Sequence, residues 1–187
     1  MMRGYLTTLK KYNLSISKEI FYVLLNCIDS SISTYEDLIS SYESSKNFVE
    51  LKQDYKLFYE FMIKYLNNID INNEIQLNQE IEKLISIVLA DDLKEVLSDT
   101  KMFISNVIDL IFIKYHLNIV DLSNDEEIRQ YLISKLKNEK IVDILMFLLI
   151  EDTKLANKEI TKVSEEEFKM VIKNIILISL YICKTKG

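Results

Sequence analysis

Few side chains in this sequence have the types and spacing that catalysis requires. The one histidine, His116, ends the apolar stretch IFIKYHL, where a lone histidine is more often structural than an acid, a base or a ligand. With a single histidine, the sequence holds no HExxH motif and no second imidazole for a metal. It therefore predicts neither a metal hydrolase nor a di-iron protein.

The best candidate for a cation site is the acidic run Asp91-Asp92-Leu93-Lys94-Glu95. Carboxylates at i, i+3 and i+4 share one face of a helix, which is an arrangement that could hold Mg²⁺. Asp91 and Asp92 are equally typical of a helix start, because acidic side chains stabilise the first turn. No second carboxylate cluster supports a metal, so we expect no metal, no cofactor and no enzymatic activity.

The residue types that are missing indicate the fold class. Among 187 residues there is no proline, and the two glycines are Gly4 and Gly187. Tight β-hairpins need glycine at positive φ, and the phosphate loops of nucleotide-binding folds need several glycines. The sequence therefore predicts an all-α protein.

Charge and cysteine content indicate the environment of the protein. The net charge of −6 argues against a surface covered with phosphate-binding side chains, although a local patch can still bind DNA. Cys27 and Cys183 are far apart and unpatterned, which is typical of a reducing compartment. The apolar runs at 141–150 and 175–183 are too short to span a bilayer, and no secretory signal is visible. We expect a cytoplasmic protein that contacts no membrane.

Serine and glutamate three residues apart indicate where helices begin. This capping-box spacing occurs at Ser33/Glu36, Ser123/Glu126 and Ser164/Glu167, and apolar residues recur at helical spacing between these points. Helices are predicted over 15–28, from 33 onward, and over 45–51, 54–66, 77–89, 92–117, 123–138, 141–156 and 164–184. In the helix over 54–66, the face predicted to be buried carries Leu57, Phe61 and Tyr65.

An Asn-rich stretch over 67–78 is predicted to be a linker. It would separate a head of three or four helices, residues 1–66, from a larger helical bundle, residues 75–187.

The segment 20–61 holds four short motifs in a fixed order. Leu24-Leu25 lies within the first predicted helix, and the run TYEDLI over 34–39 lies at the start of the next. Ser45-Lys46 comes next, and NFVELKQDYKLF follows over 47–58. This order resembles the N-terminal helix-turn-helix of TetR-type transcriptional regulators, although Glu43 stands where the family has a glycine.

The resemblance implies a ligand-responsive regulator that binds duplex DNA. The residues implied to contact DNA are Thr34, Tyr35, Ser45, Lys46, Asn47, Lys52 and Lys56. It also implies a pocket for a small apolar ligand in the C-terminal bundle. The bulky residues expected around such a pocket are Met102, Phe103, Phe112, Tyr115, Tyr131, Met146 and Phe147.

Two strongly apolar helices end the chain, and they leave two interpretations open. Asp143 is the one polar residue in 141–150, and the last helix carries isoleucines around its circumference. A helix that is apolar all round must be buried on more than one side. A large core within one chain would satisfy this requirement, and so would a homodimer through the last two helices.

An alternative function follows from the same apolar surface. An all-helical interaction module would bind a partner helix in an apolar groove and would not bind DNA. A monomer with an open groove along 141–150 would favour this alternative over the regulator.

Overall fold

The computed structural model describes residues 16–29, 36–37, 52–89, 93–157 and 164–184. Every regular element in these residues is an α-helix, which confirms the predicted fold class. The helices are α1 (Ile16–Ile28), α2 (Lys52–Asn67), α3 (Glu74–Leu89), α4 (Leu93–Lys114), α5 (Asp125–Leu136), α6 (Glu139–Asn157) and α7 (Glu165–Lys184). The predicted helix starts at Ser33 and Ser45, and hence the helix-turn-helix, lie outside the described residues.

The chain divides into two compact units, Met1–Val96 and Leu97–Gly187. In the first unit, α1 packs against both α2 and α3. Because α3 packs on α1 in this way, it lies in the first compact unit, and the division into a head over 1–66 and a bundle over 75–187 stays a prediction. Ile20 and every residue from Tyr22 to Ile28 are buried, so this part of α1 is covered around its whole circumference.

The buried face of α2 lies one residue further along than the sequence predicts. Phe58, Met62 and Leu66 are buried, whereas Leu57 is 40% exposed. Tyr65 is half-buried because its hydroxyl donates a hydrogen bond to a carboxylate oxygen of Glu80 on α3. Because the hydroxyl group has this polar partner, the face of α2 that carries Tyr65 lies at the edge of the core.

The Asn-rich stretch forms a turn that its own side chains close. The backbone N–H of Asn72 donates to Asp70 Oδ1 (2.9 Å), and that of Gln76 donates to Asn73 Oδ1 (3.2 Å). Ile69, inside this turn, is buried. Asx side chains therefore close the turn that precedes α3 in a stretch with no glycine.

In the second unit, α6 packs against α5 on one side and α7 on another. A hydrogen bond from Ser105 Oγ to Asp152 Oδ1 (3.0 Å) joins α4 to α6. The apolar residues of α7 that are buried within one chain are Phe168, Val171, Ile172, Ile175, Ile176, Ile178, Leu180 and Ile182. Their burial favours the large core over a dimer interface as the explanation of this apolar helix.

No helix in the described part of the chain combines the length and the apolar composition that crossing a membrane requires.

A candidate binding groove between two helices

Helices α5 and α6 form a hairpin whose connection is only Lys137 and Asn138. Lys137 takes the left-handed conformation (φ 53°), and its N–H donates to the carbonyl of Ile133 (3.0 Å). Asn138 Oδ1 accepts a hydrogen bond from the N–H of Ile141 (3.2 Å) at the start of α6. These contacts end one helix and begin the next within two residues, so that the two helices pack side by side.

A polar network fixes the first turn of α5. Asn124 is the N-cap, and its Oδ1 accepts the N–H of Glu127 (2.9 Å). Ser123 donates its backbone N–H (3.0 Å) and its hydroxyl (2.9 Å) to Glu127 Oε2. These bonds from Ser123 hold the pKa of Glu127 below its usual value. The predicted box at Ser123/Glu126 is therefore wrong by one residue.

A cavity of about 380 Å³ lies beside this hairpin. We name this cavity the α5–α6 groove. It is lined by Ile119, Asp125, Ile128, Met146, Leu149, Ile150, Thr153 and Lys154. The five residues from α6 follow the spacing i, i+3, i+4, i+7 and i+8, so they form one stripe on that helix. Ile150 is 41% exposed, and Val120 beside Ile119 is 87% exposed. Apolar surface is thus accessible to a binding partner in and beside the groove.

The charged side chains of the groove differ in how they are paired. Lys154 Nζ lies 3.1 Å from Glu151 Oε1, and Glu151 is buried beneath it on the same helix. Asp125 is exposed and makes no hydrogen bond or ion pair with any residue that the structure describes. The unpaired charge on the wall of the groove is therefore negative.

The residues predicted to surround an apolar ligand are not gathered around this cavity. Met146 lines the groove, and the other six are absent from its lining. Phe103 is fully buried, Met102 is 43% exposed, and Phe112, Tyr115, Tyr131 and Phe147 are half-buried.

The two tyrosines in this set differ in their surroundings. Tyr131 accepts the backbone N–H of Asn118 at its hydroxyl oxygen (2.9 Å), which ties the α4–α5 connection to α5. Burial raises the pKa of Tyr115.

Most residues implied to contact DNA lie outside the described part of the chain. Thr34, Tyr35, Ser45, Lys46 and Asn47 are among these, and Lys52 begins α2.

Lys56 is half-buried, and its Nζ lies 3.9 Å from Glu36 Oε1. This contact offsets part of the positive charge that a phosphate would need, and DNA binding stays a prediction.

His116 has a structural position at the end of α4. It takes the left-handed conformation (φ 53°), its N–H donates to the carbonyl of Ile113 (3.3 Å), and the N–H of Leu117 donates to that of Phe112 (2.9 Å). This pair of bonds is the Schellman motif, in which glycine is the usual residue. The imidazole is exposed, and the described residues include no group of three or more His, Cys, Asp or Glu side chains that could hold a metal.

Sequence reasoning named the α6 side of the groove through residues 141–150 but missed Ile119, Asp125, Ile128, Thr153 and Lys154. The sequence gives one indication of Lys154, because the apolar run of α6 is followed by polar residues after Ile150. No protein-family model, no curated protein and no solved structure matches this chain. The shape and lining of the groove are therefore the observations from which a function can be inferred.

Proposed function

We propose that this chain is a helical interaction module that binds the apolar face of a partner helix in the α5–α6 groove. The observation that supports the proposal is the cavity along α6, where Met146, Leu149 and Ile150 form a stripe accessible to a partner. A groove at this position on α6 is the feature that favours an interaction module over a regulator.

The dimensions of the stripe suit a short helical segment. From Met146 to Lys154 the axis of α6 advances by about 12 Å, which is roughly two helical turns. A partner helix of that length presents two or three apolar side chains at i, i+3 or i+4 on one face. Removing those side chains and Ile150 from water would supply the favourable free energy of binding.

A small apolar ligand is the other occupant that the cavity would accommodate by size, since ligand pockets are commonly about 300–1,000 Å³. The exposed side chain of Val120, which is absent from the cavity lining, favours a partner that extends beyond the cavity, because a small ligand would leave it in water.

Labelled amphipathic peptides test the proposal. The probe is a three-turn helical peptide with leucines at i, i+3, i+4 and i+7, and a scrambled peptide of the same composition is the reference. We expect fluorescence anisotropy to show binding of the amphipathic peptide, and Ile150→Glu to weaken it at least about tenfold, since a carboxylate would lose its hydration in an apolar contact.

Ile75→Glu is the matched control, because Ile75 is 75% exposed on α3 and is absent from the groove lining. Circular dichroism would verify that both variants keep their helical content. Equal binding of the amphipathic and scrambled peptides, or equal weakening by both variants, would contradict the proposal.

The regulator interpretation stays a prediction that rests on the TetR-type resemblance. Retardation of duplex DNA by the whole chain at low salt, together with no binding of the amphipathic peptide, would favour the regulator over the interaction module.

A further inference from the structure

We infer that the segment bound in the α5–α6 groove is cationic as well as amphipathic, with a Lys or Arg placed beside Asp125. This inference rests on the proposed function and specifies the chemistry of the partner.

The first observation is the pairing of charges at the end of the groove where α5 begins. The ammonium of Lys154 already lies 3.1 Å from the buried carboxylate of Glu151, so its charge is largely offset. Asp125 has no such partner among the described residues. The three charged groups sum to −1, and the uncompensated one is the carboxylate on the wall of the groove.

The second observation is the composition of the adjoining chain. Residues 119–128 contain Asp121, Asp125, Glu126 and Glu127 and no basic side chain. Glu126 accepts a hydrogen bond from Gln130 (2.8 Å), and Glu127 accepts from Ser123, so both partners are neutral and leave the carboxylate charges in place.

The next basic residue, Arg129, forms an ion pair with Asp143 on α6 and also interacts with the charge of Glu126, so it offsets part of that one carboxylate. Asp125 keeps its uncompensated charge, and a carboxylate of this kind beside an apolar cavity attracts a positively charged partner and repels an acidic one.

The apolar stripe and the acidic end are thus neighbours on one surface. A partner helix whose apolar residues occupy Met146 and Ile150 would place its flanking residues within reach of the start of α5. A basic residue there would pair with Asp125, whereas an acidic residue would add repulsion. Charge complementarity therefore favours a cationic amphipathic helix over an acidic or neutral one.

Three labelled peptides with identical leucine positions separate the apolar contribution from the charge contribution. Their flanking residues are lysine in the first, glutamine in the second and glutamate in the third. At low salt we expect the lysine peptide to bind about tenfold more tightly than the glutamate peptide, with the glutamine peptide between them. Raising the salt concentration should reduce this difference, because exposed charge pairs are screened.

Asp125→Asn is the decisive variant, since it removes the charge while keeping the size of a side chain that has no partner among the described residues. We expect it to weaken the lysine peptide about threefold and to leave the glutamine peptide unchanged. Asp109→Asn is the matched control, because Asp109 is an exposed carboxylate on α4 that does not line the groove.

The outcomes distinguish the two proposals. If all three peptides bind equally and Ile150→Glu weakens each of them, the interaction module stands and the cationic partner is overturned. The same conclusion follows if Asp125→Asn and Asp109→Asn have equal effects on the lysine peptide. If none of the peptides binds, the proposed function fails, and the inference fails with it.

Discussion

At the scale of single residues, the first unit contains a polar contact whose effect on the pH dependence of stability can be measured. The hydroxyl of Tyr65 donates to Glu80, and Lys83 Nζ lies 2.9 Å from Glu80 Oε1. Burial and the Glu80 carboxylate raise the pKa of Tyr65, so the phenol stays protonated and can donate. The hydrogen bond from Tyr65 and the charge of Lys83 lower the pKa of Glu80.

This lowered pKa predicts how stability depends on pH. The folded protein releases the Glu80 proton more readily than the unfolded chain does. The contribution of Glu80 is therefore fully present above its ordinary pKa of about 4.3, and it is lost as the pH falls through the lower value of the folded state. We expect Glu80→Gln to reduce the loss of stability between about pH 5 and about pH 3, measured by urea unfolding at each pH.

The partner variant serves as the control for that measurement. Tyr65→Phe should cost about 1.5–3 kcal/mol at neutral pH, because it deletes one hydrogen bond to a charged group. The double variant should lose less than the sum of the two single losses, since both changes remove the same contact. Strict additivity would show that the two side chains do not interact in solution.

At the scale of elements, the sequence predicted helices well because their periodicity and caps are local. The cap at Ser164 is confirmed, since the N–H of Glu167 donates to Ser164 Oγ (3.1 Å). The start of α5 was missed by one residue for a physical reason. Ser123 and Asn124 are both good caps, and each has a glutamate three residues later, so local chemistry cannot choose between them.

The groove was less accessible to sequence reasoning because tertiary packing assembles it. Met146 and Ile150 lie within one apolar run that the sequence displays. Ile119 and Asp125 reach the same cavity only because α5 folds back along α6 through Lys137 and Asn138. No spacing along the chain encodes that neighbourhood, so the acidic wall of the groove could not be predicted.

At the end of α4, we predict that stability depends on the backbone conformation of His116 and not on its imidazole. His116 is left-handed at a position where glycine is favoured, and a residue with a Cβ costs about 1 kcal/mol there. We expect His116→Gly to raise the free energy of unfolding by about 0.5–1 kcal/mol, measured by urea denaturation.

His116→Ala separates the two explanations of such a gain. It removes the imidazole but keeps Cβ, so it should leave stability nearly unchanged if the backbone conformation is what matters. Equal stabilisation by alanine and glycine would instead assign the effect to the histidine side chain.

At the scale of the whole molecule, composition was sufficient to predict an all-α chain, but the division into units depended on packing. The composition of the Asn-rich stretch predicts a linker. In the structure, the side chains of Asp70 and Asn73 accept backbone hydrogen bonds that close it into a turn. The helix that follows, α3, then packs on α1 within the unit Met1–Val96. Composition reports the polarity of a segment, whereas a unit boundary depends on which apolar faces meet.

The apolar surface of α7 provides the last prediction, because it bears on the homodimer expected through the last two helices. Ile176 is fully buried within one chain, so it stabilises the folded monomer without needing a second copy. We expect Ile176→Ala to lower the free energy of unfolding by about 2–4 kcal/mol, and the unfolding midpoint to be independent of protein concentration in both wild type and variant. Met170→Ala, at a position that is 48% exposed on the same helix, should have a much smaller effect. A wild-type midpoint that rises with concentration, and that loses this dependence in Met170→Ala, would restore α7 as a dimer interface. Urea unfolding over a hundredfold range of concentration decides between the two, because a stable folded dimer couples unfolding to dissociation and a monomer does not.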